Sequence, residues 1–582
     1  MKPINNHGHS RDLRRSLGQV LTVAGLGFTG SMLTLMPAMA NSPQIAQATF
    51  ETLEDFGYWA NLCRLSVSAA DYENALMACE QAIALRPNDS GMWAERSGIL
   101  LQTEAYPDAI ASANKALELD DANSLALTYR CMAFSALGQN EQALDACNQA
   151  LRVDGNWGSQ SPALAWLQRG VILLADVEYE QAIVAFDRTL LLEPEDSRTL
   201  VYRCQTLLAV GDYPGAVNSC QNALDGNGNW GIEGPAIALA TQGQALVELR
   251  DYTAASAAFD ESLRLDPSQA DTWIAQGNLL AQLGQGERSS QQERSREALI
   301  AYTRAVELRP TDAQALLGQC TMFNRVGEYD MAAAACLAAI QGDGNWGRDR
   351  EFVDALNQQS IALTGQGSYE EALAAINRVV GLRPEDAQSW NHQGVILWYL
   401  MRYEAALNAN QRALDLNPNL ALAWFNRGII FRTLQQHEQA LAMYDQAIDL
   451  DPFSAPVWAN RSVALWHLQR YQAALESADR AITIDPMSVQ ALYNKGAALS
   501  SLERHAEALA AFEQALRVDP RNADALTGRG IALVRLGRLE EGGATLQAAL
   551  SIDPAQPLAQ AALVSLQQLI QEQQQQQQMM MP

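Results

Sequence analysis

The chain has 582 residues, of which 48% are hydrophobic and 18% charged, a composition that favours ordered domains or one long repeat array over general disorder. Acidic residues outnumber basic ones 66 to 40, which gives a formal charge of −26. Nucleic-acid backbones and anionic lipid surfaces are bound by cationic side chains, so this charge argues against both. We therefore expect neither nucleic acid nor a membrane surface among the partners.

The first 40 residues have the pattern of an export signal. Basic residues precede an apolar run from Leu17 to Met36, and a small-x-small sequence follows at 38–40. This order is typical of a secretory signal peptide, and we predict cleavage after Ala40. The alternative is an uncleaved membrane anchor, because about 20 apolar residues are enough to span a bilayer. We expect export to the periplasm or another extracytoplasmic lumen, with no membrane insertion after cleavage.

Residues 56–556 repeat one pattern every 34 residues, apart from four longer spacings of 39, 39, 43 and 40. A tyrosine is followed three residues later by alanine, as in the stretches 72–75 and 403–406. A tryptophan often lies 16 residues before that alanine, and a proline usually lies 12 residues after it. The pattern resembles the tetratricopeptide repeat family, with Trp at position 4 of 34, a small residue at 8, Tyr at 17, Ala at 20 and Pro at 32. Fourteen units fit the chain.

The resemblance implies an all-α fold, a right-handed superhelical solenoid of antiparallel helix pairs. Small residues at positions 8, 20 and 27 let the two helices of a unit approach, and proline at 32 ends the second helix. No unit buries its apolar face alone, so neighbouring units must stack.

The repeat register also predicts the division of the chain. A short lead covers 41–55, repeats 1–8 cover 56–346, and repeats 9–14 cover 347–556. A capping helix follows at 557–570, and the Gln/Met-rich tail at 571–582 is expected to be disordered. The polar stretch 285–296 is expected to form a loop between the two helices of the seventh unit.

Eight cysteines occupy only positions 8 and 24, which face each other across the helices of one unit. The pairs, each 16 residues apart, are Cys63 and Cys79, Cys131 and Cys147, Cys204 and Cys220, and Cys320 and Cys336. In an exported protein we predict four disulfides within repeats. One alternative is that cysteine is a small apolar filler. Metal binding is a third, but it lacks further ligands because the histidines lie elsewhere in the chain, so we expect no metal or cofactor.

Three of these cysteine repeats end in a loop that shares the sequence Gly-Asn-Trp-Gly, at 155–158, 228–231 and 344–347. A run of Asp and Asn at 225–229 resembles the start of a calcium loop, but the expected Gly spacing and the distal Glu are missing. We interpret the three loops as turns that need left-handed residues and whose tryptophan packs on a neighbouring helix.

The signal, the repeats and the tail together leave no stretch for a catalytic domain. The sequence has no Gly-rich phosphate loop after a strand, no nucleophile elbow and no paired-histidine metal motif. Since function must be argued from a site, we expect no enzymatic activity.

In this family the first helix of each unit lines a concave groove through positions 2, 5, 6, 9, 12 and 13. Position 6 carries Asn426, Asn460 and Asn494 in successive repeats, with His392 just before them. Such a row of amides is able to hydrogen-bond the backbone of an extended peptide. The side chains around it are Trp398, Tyr399, Phe425, Arg432, Trp466, His467 and Tyr493. The alternative is that the asparagines only cap local turns.

The family also has a variant that clamps a C-terminal carboxylate with Lys or Arg at positions 2 and 6. That clamp is absent here, because position 2 carries Gln388, Leu422 and Pro456. We therefore predict a non-enzymatic extracytoplasmic scaffold or adaptor that binds extended peptide segments of other proteins in its groove. The alternative function is an assembly chaperone for envelope or lumenal client proteins.

Overall fold

A computed structural model describes residues 55–158, 160–231, 234–284, 288–346 and 351–579. These residues form 29 α-helices and no strand, and consecutive helices pack as antiparallel pairs, as the repeat pattern predicts. The expected signal peptide at 1–40 and the lead up to residue 54 lie outside the described residues. In the described part of the chain, no helix is long and apolar enough to cross a membrane.

The helices divide into two compact units. The first unit contains α1 (Phe56–Ser68), α2 (Tyr72–Leu85), α3 (Ser90–Gln102), α4 (Tyr106–Leu119), α5 (Ser124–Ala136), α6 (Asn140–Val153), α7 (Pro162–Ala175), α8 (Tyr179–Leu192), α9 (Ser197–Val210), α10 (Tyr213–Leu224), α11 (Gly234–Glu248), α12 (Tyr252–Leu265), α13 (Ala270–Leu283), α14 (Arg288–Leu308) and α15 (Ala313–Val326). The second unit contains α16 (Tyr329–Gln341), α17 (Glu351–Gln366), α18 (Tyr369–Leu382), α19 (Ala387–Tyr399), α20 (Tyr403–Leu416), α21 (Ala421–Thr433), α22 (His437–Leu450), α23 (Ala455–His467), α24 (Tyr471–Ile484), α25 (Val489–Ser501), α26 (His505–Val518), α27 (Ala523–Arg535), α28 (Leu539–Ile552) and α29 (Pro557–Met579).

The first helix of many units begins at a side chain that caps it. Asp89 accepts a hydrogen bond from the backbone N–H of Met92 at 3.0 Å, and Asn522 accepts one from Ala525 at 2.9 Å. Each cap satisfies an amide that has no partner within the helix, a contribution of about 1 kcal/mol. Helix starts therefore follow from the Asp, Asn and Ser residues that precede each unit.

The turn between the two helices of a unit needs one residue with positive φ, at position 15. Glycine supplies it in several units, as at Gly211 with φ +85°. Other units use residues with a side chain, among them Val177 with φ +66°. Left-handed backbone is costly for a β-branched residue, so this turn is imposed by the packing of the two helices.

Positions 8 and 24 face each other across the two helices of many repeats, as the sequence predicts. A Cβ atom added to Gly170 would lie 2.4 Å from the ring of Phe186, and one added to Gly428 would lie 2.4 Å from the ring of Tyr444. Both rings are fully buried. An aromatic ring at position 24 therefore leaves no room for a side chain at position 8.

Two hydrogen-bonding patterns connect many of the repeats to the repeat before them. The indole N–H of the position-4 tryptophan donates to the carbonyl of the preceding proline, as in Trp93 to Pro87 and Trp424 to Pro418, both at 2.9 Å. A polar residue at position 7 also binds the side chain 16 residues earlier, as when Arg461 binds Asp445 at 2.7 Å. An exposed ion pair contributes only about 0–1 kcal/mol, but its repetition favours one stacking register.

Two predicted irregular segments are largely helical. The helix α29 continues to Met579, so the tail expected to be disordered from 571 onward is helical over most of its length. Glutamine is a good helix former, and no glycine or proline interrupts the helix after Pro557. The stretch 285–296, expected to be a loop, belongs to α14 from Arg288 onward. It extends the second helix of this repeat by about two turns at its start.

Candidate functional site

Three of the cysteine pairs occupy the place that glycine and an aromatic ring fill in other units. The Cα atoms lie 5.2 Å apart in Cys63 and Cys79, and 5.3 Å apart in the other two pairs. These are spacings that a disulfide requires. The latter pairs are Cys131 with Cys147 and Cys204 with Cys220.

The fourth pair divides between the compact units. Cys320 lies on α15 and Cys336 on α16, and both are fully buried. Its pairing therefore stays a prediction.

The Gly-Asn-Trp-Gly loops fold back onto the start of the first helix of their own repeat. The backbone N–H of Leu125 donates to the carbonyl of Asn156 at 3.2 Å, and that of Arg198 donates to the carbonyl of Asn229 at 3.0 Å. Trp157 packs against Leu127 and other apolar side chains of neighbouring helices. The loops contain the left-handed residues Asp154, Gly158, Gly228, Gly231 and Gly344. The first two loops are turns with a packed tryptophan, Trp157 and Trp230, as the sequence predicts.

The three asparagines of the predicted row differ in how many of their hydrogen bonds the fold uses. Asn426 donates to the side chain of Asn391 in the preceding repeat at 2.8 Å. Asn460 donates to the carbonyl of Pro456 in its own helix at 2.9 Å. Asn494 is 6% exposed, donates to the carbonyl of Ala459 at 2.8 Å and accepts from Gln490 at 2.8 Å.

The side-chain amide has two N–H groups and one oxygen. The described contacts therefore commit one donor in Asn426 and one in Asn460, which are half-buried. In Asn494 they commit both the nitrogen and the oxygen. Asn494 acts in the stacking of repeats, whereas the other two amides keep capacity for a ligand.

The tryptophans at position 12 are held by hydrogen bonds to the next repeat. Trp398 Nε1 donates to Thr433 Oγ1 at 3.1 Å, and Trp466 Nε1 donates to Ser501 Oγ at 2.9 Å. Trp466 is 36% exposed. Because the polar edge of each ring is occupied, what these residues offer to a ligand is mainly their apolar faces.

Two pairs of stacked rings lie beside these tryptophans. Tyr399 is stacked on Tyr369 with centroids 4.7 Å apart, and His467 is stacked on His437 with centroids 4.4 Å apart. In each pair a residue at position 17 meets position 13 of the next repeat. Sequence reasoning named Tyr399 and His467 but missed Tyr369 and His437. Both pairs are 30 residues apart along the chain, and this shared spacing could have predicted Tyr369 and His437 from the sequence.

Phe425 and Tyr493, both at position 5, are half-buried and pack inward. The ring of Phe425 lies 6.0 Å from that of Tyr444, and the ring of Tyr493 lies 5.7 Å from that of Phe512. Burial raises the pKa of the Tyr493 hydroxyl. These two residues contribute to the hydrophobic core, so they offer a ligand less surface than Trp466 or Tyr399 does.

The two basic residues of the predicted site have different environments. Burial lowers the pKa of His392 to about 4, so its imidazole is neutral at physiological pH. Arg432 is half-buried beside Tyr444, whose pKa burial raises to about 12 against the opposing charge of Arg432. Burial, together with the charges of His437 and Arg432, lowers the pKa of His467. The lowered pKa favours the neutral form of His467, so Arg432 is the permanent cation beside the stacked rings of His437 and His467.

No group of acidic, histidine and cysteine side chains suited to a metal ion occurs in the described ranges. A cavity of about 520 Å³ lies at the start of α16, lined by Tyr329, Met331 and Gln366 among others. It is remote in sequence from the predicted groove residues.

The model of the tetratricopeptide repeat family matches this chain over most of its length. The matched residues are 64–124, 132–197, 240–289, 285–345, 357–421, 393–455, 425–489 and 493–557. The chain belongs to the tetratricopeptide repeat family. Proteins with this fold typically act as scaffolds for protein–protein interaction, and the fold and family together place the chain in that class.

Among its relatives, the chain is 24% identical over 322 residues to DnaJ protein P58IPK homolog B of Oryza sativa subsp. japonica, covering 54% of this chain and 60% of that protein. It is 23% identical over 323 residues to DnaJ homolog subfamily C member 7 of Homo sapiens, covering 53% and 63%. The chain thus matches less than two thirds of the length of these relatives.

The fold also resembles solved structures. Yeast Tom70 is 15% identical with a TM-score of 0.39, covering 78% of this chain and 96% of that one. YrrB, described as a TPR protein with an unusual peptide-binding site, is 23% identical with a TM-score of 0.28, covering 32% and 97%.

Proposed function

We propose that this protein is a non-enzymatic, exported scaffold that binds extended peptide segments of other proteins along the first helices of repeats 10–13. The observation that carries the proposal is the hydrogen-bonding capacity left on Asn426 and Asn460, beside aromatic rings that keep exposed faces. Backbone-binding amides next to aromatic anchors are suited to an extended chain of varied sequence.

The hydrogen bonds within the fold support a division of labour among the asparagines. The bonds of Asn426 and Asn460 fix the orientation of each amide while leaving donors and acceptors for a peptide backbone. Asn494 is buried and serves the repeat interface. A test of peptide binding therefore replaces only Asn426 and Asn460, since replacing Asn494 would also disturb stacking.

The experiment selects peptides from a phage-displayed library of random 12-residue sequences on the purified chain. We expect enrichment on the wild type and its loss on the double variant Asn426→Ala/Asn460→Ala. The matched control is Asn408→Ala/Gln446→Ala, which removes two exposed amides from the second helices α20 and α22. Equal enrichment on both variants would place recognition elsewhere on the chain, and no enrichment on the wild type would refute binding of linear peptides.

The exported setting rests on the N-terminal pattern and on the paired cysteines. An oxidising compartment allows disulfides to persist, and the cysteine spacings in three repeats suit such bonds. The intact mass of the natively expressed protein, with and without reduction and alkylation, tests this part. We expect residues 1–40 to be missing and all eight thiols to be protected. A full-length mass with eight free thiols would refute export and disulfides together.

A further inference from the structure

Arg432 differs from the other basic side chains of the second compact unit, which contains α16 to α29. Every other half-buried lysine or arginine that the structure describes there has an acidic or amide partner. The pairs are Arg383 with Asp354, Arg427 with Gln411, Arg461 with Asp445, Lys495 with Asp479, and Arg529 with Glu513. Arg432 is half-buried, and its guanidinium interacts with the hydroxyl of the buried Tyr444 but with no acidic or amide side chain among the described residues. Its Nε atom is buried without a hydrogen-bond partner there.

This absence is unusual in a chain with 66 acidic residues and only 40 basic ones. A half-buried guanidinium that is partly removed from water gains most from a carboxylate, which it binds through two parallel hydrogen bonds. The neighbouring histidines do not supply one. Their rings are stacked on each other with centroids 4.4 Å apart, and Arg432 is the permanent cation beside them.

Trp398 and Trp466 hold the same repeat position as Arg432, in the repeats before and after it. Trp398 reaches Arg432's own repeat through its hydrogen bond to Thr433, the next residue along the chain. Trp466 lies against His467, with centroids 5.1 Å apart and ring planes at 84°, and the charge of Arg432 acts on that histidine. The three residues therefore line successive repeats as an apolar face, a cation and a second apolar face. We refer to Trp398, Arg432 and Trp466 as the position-12 strip.

We propose that the position-12 strip recognises an acidic side chain in an extended peptide, with the carboxylate on Arg432 and apolar neighbours of that side chain against Trp398 and Trp466. This inference rests on the proposed function, because it assigns a residue preference to the same groove. The strip uses position 12, whereas the carboxylate clamp that the sequence lacks uses positions 2 and 6. The partner is therefore an acidic segment within a chain and does not need to end there.

A purely structural role for Arg432 would be to offset the partial negative charge at the carboxyl end of α21, because Arg432 lies in the last turn of that helix. That role needs no ligand and makes no prediction about peptide sequence. The two roles are separated by a charge preference that depends on Arg432.

The test uses the peptide selection described above and then a double-mutant cycle. Peptides enriched on the wild type are expected to carry Asp or Glu at a fixed place, flanked by apolar residues. The most enriched peptide, labelled with fluorescein, is then compared with its Glu→Gln or Asp→Asn analogue by fluorescence anisotropy. We expect the neutral analogue to bind the wild type about 10-fold more weakly, as for a charge-assisted hydrogen bond.

The same comparison on protein variants assigns the preference to Arg432. On Arg432→Gln the two peptides are expected to bind within 2-fold of each other, while Arg432→Lys keeps part of the difference. The matched control Arg412→Gln removes an exposed arginine from α20 and is expected to keep the full difference. Thermal unfolding confirms that each variant is folded.

Different results would overturn the position-12 strip and the proposed peptide binding. Enriched peptides without an acidic preference, or an acidic preference unchanged in Arg432→Gln, would overturn the strip and leave peptide binding in place. No enrichment on the wild type would overturn both. The wild-type comparison of the two peptides needs no protein variant, so it tests the inference even if Arg432→Gln is unstable.

Discussion

Gly428 on α21 lies under the ring of Tyr444 on α22, so closely that a Cβ atom at Gly428 would stand 2.4 Å from Cε1 of that ring. The Tyr444 side chain is fully buried and has no room to move aside. The contact joins the two helices of repeat 11, and the same arrangement recurs at Gly170 with Phe186 and Gly496 with Phe512.

Gly428→Ala is expected to destabilise the repeat by about 1–3 kcal/mol, because the added methyl group overpacks a filled site. Gly381→Ala is the matched control, since its Cβ would meet nothing within 4 Å and alanine favours the helix. We expect the control to be neutral or stabilising. Local opening free energies from hydrogen exchange with mass spectrometry measure both, and equal effects of the two substitutions would contradict the packing argument.

Val177 in the turn between α7 and α8 has φ +66°, which is unfavourable for a β-branched residue. Val177→Gly is expected to stabilise this repeat by about 0.5–1 kcal/mol, the relief of backbone strain less the entropy that glycine adds to the unfolded chain. The reverse change, Gly211→Val at the equivalent turn with φ +85°, is expected to destabilise. The shift in the thermal midpoint measures both, and a lower midpoint for Val177→Gly would contradict this account.

Reduction is expected to weaken the two ends of the chain unequally. All eight cysteines lie before residue 337, so a disulfide that closes a loop of 16 residues stabilises only the earlier repeats, by about 3 kcal/mol each. Hydrogen exchange with and without dithiothreitol should therefore accelerate in α1, α2, α5, α6, α9 and α10 and stay unchanged from α19 onward. If dithiothreitol leaves the exchange rates of these six helices unchanged, the cysteines serve only as buried apolar side chains.

His392 makes the stability of α19 depend on pH. Burial lowers its pKa from 6.5 to about 4, so the unfolded chain takes up a proton between these values and the folded chain does not. Stability is therefore complete above about pH 6.5 and falls as the pH drops toward 4, by at most about 1.4 kcal/mol per pH unit. Hydrogen exchange of α19 as a function of pH, corrected for the intrinsic rate, measures this. His392→Gln should flatten the dependence, and an unchanged slope in that variant would assign it to other groups.

Much of the structure follows from the sequence because its signals are local. Prolines, capping residues and a 34-residue period locate the helices, and the pairing of positions 8 and 24 follows from two helices that meet within one unit. The position of Cys131 opposite Cys147 and the packed turn at Trp157 are both features of this local kind. The family and the all-helical fold were therefore predictable from residues alone.

The details of the candidate site depend on how consecutive repeats stack. Asn426, Asn460 and Asn494 hold one repeat position, yet one amide reaches the preceding repeat's side chain, one its own helix, and one a buried carbonyl. The packing of Phe425 against the core also depends on the tertiary structure and not on its repeat position alone.

The sequence by itself determined the repeats, their helices and the pairs that face each other within a unit, since these depend on residues close together along the chain. Only the tertiary structure decided which groove residues keep free polar groups and that His437 stacks on His467. It also placed Arg432 beside the Tyr444 hydroxyl, with its Nε atom unpartnered among the described residues. The physical reason is that contacts between repeats depend on small rotations and shifts of one helix pair against the next, which a shared 34-residue pattern does not specify.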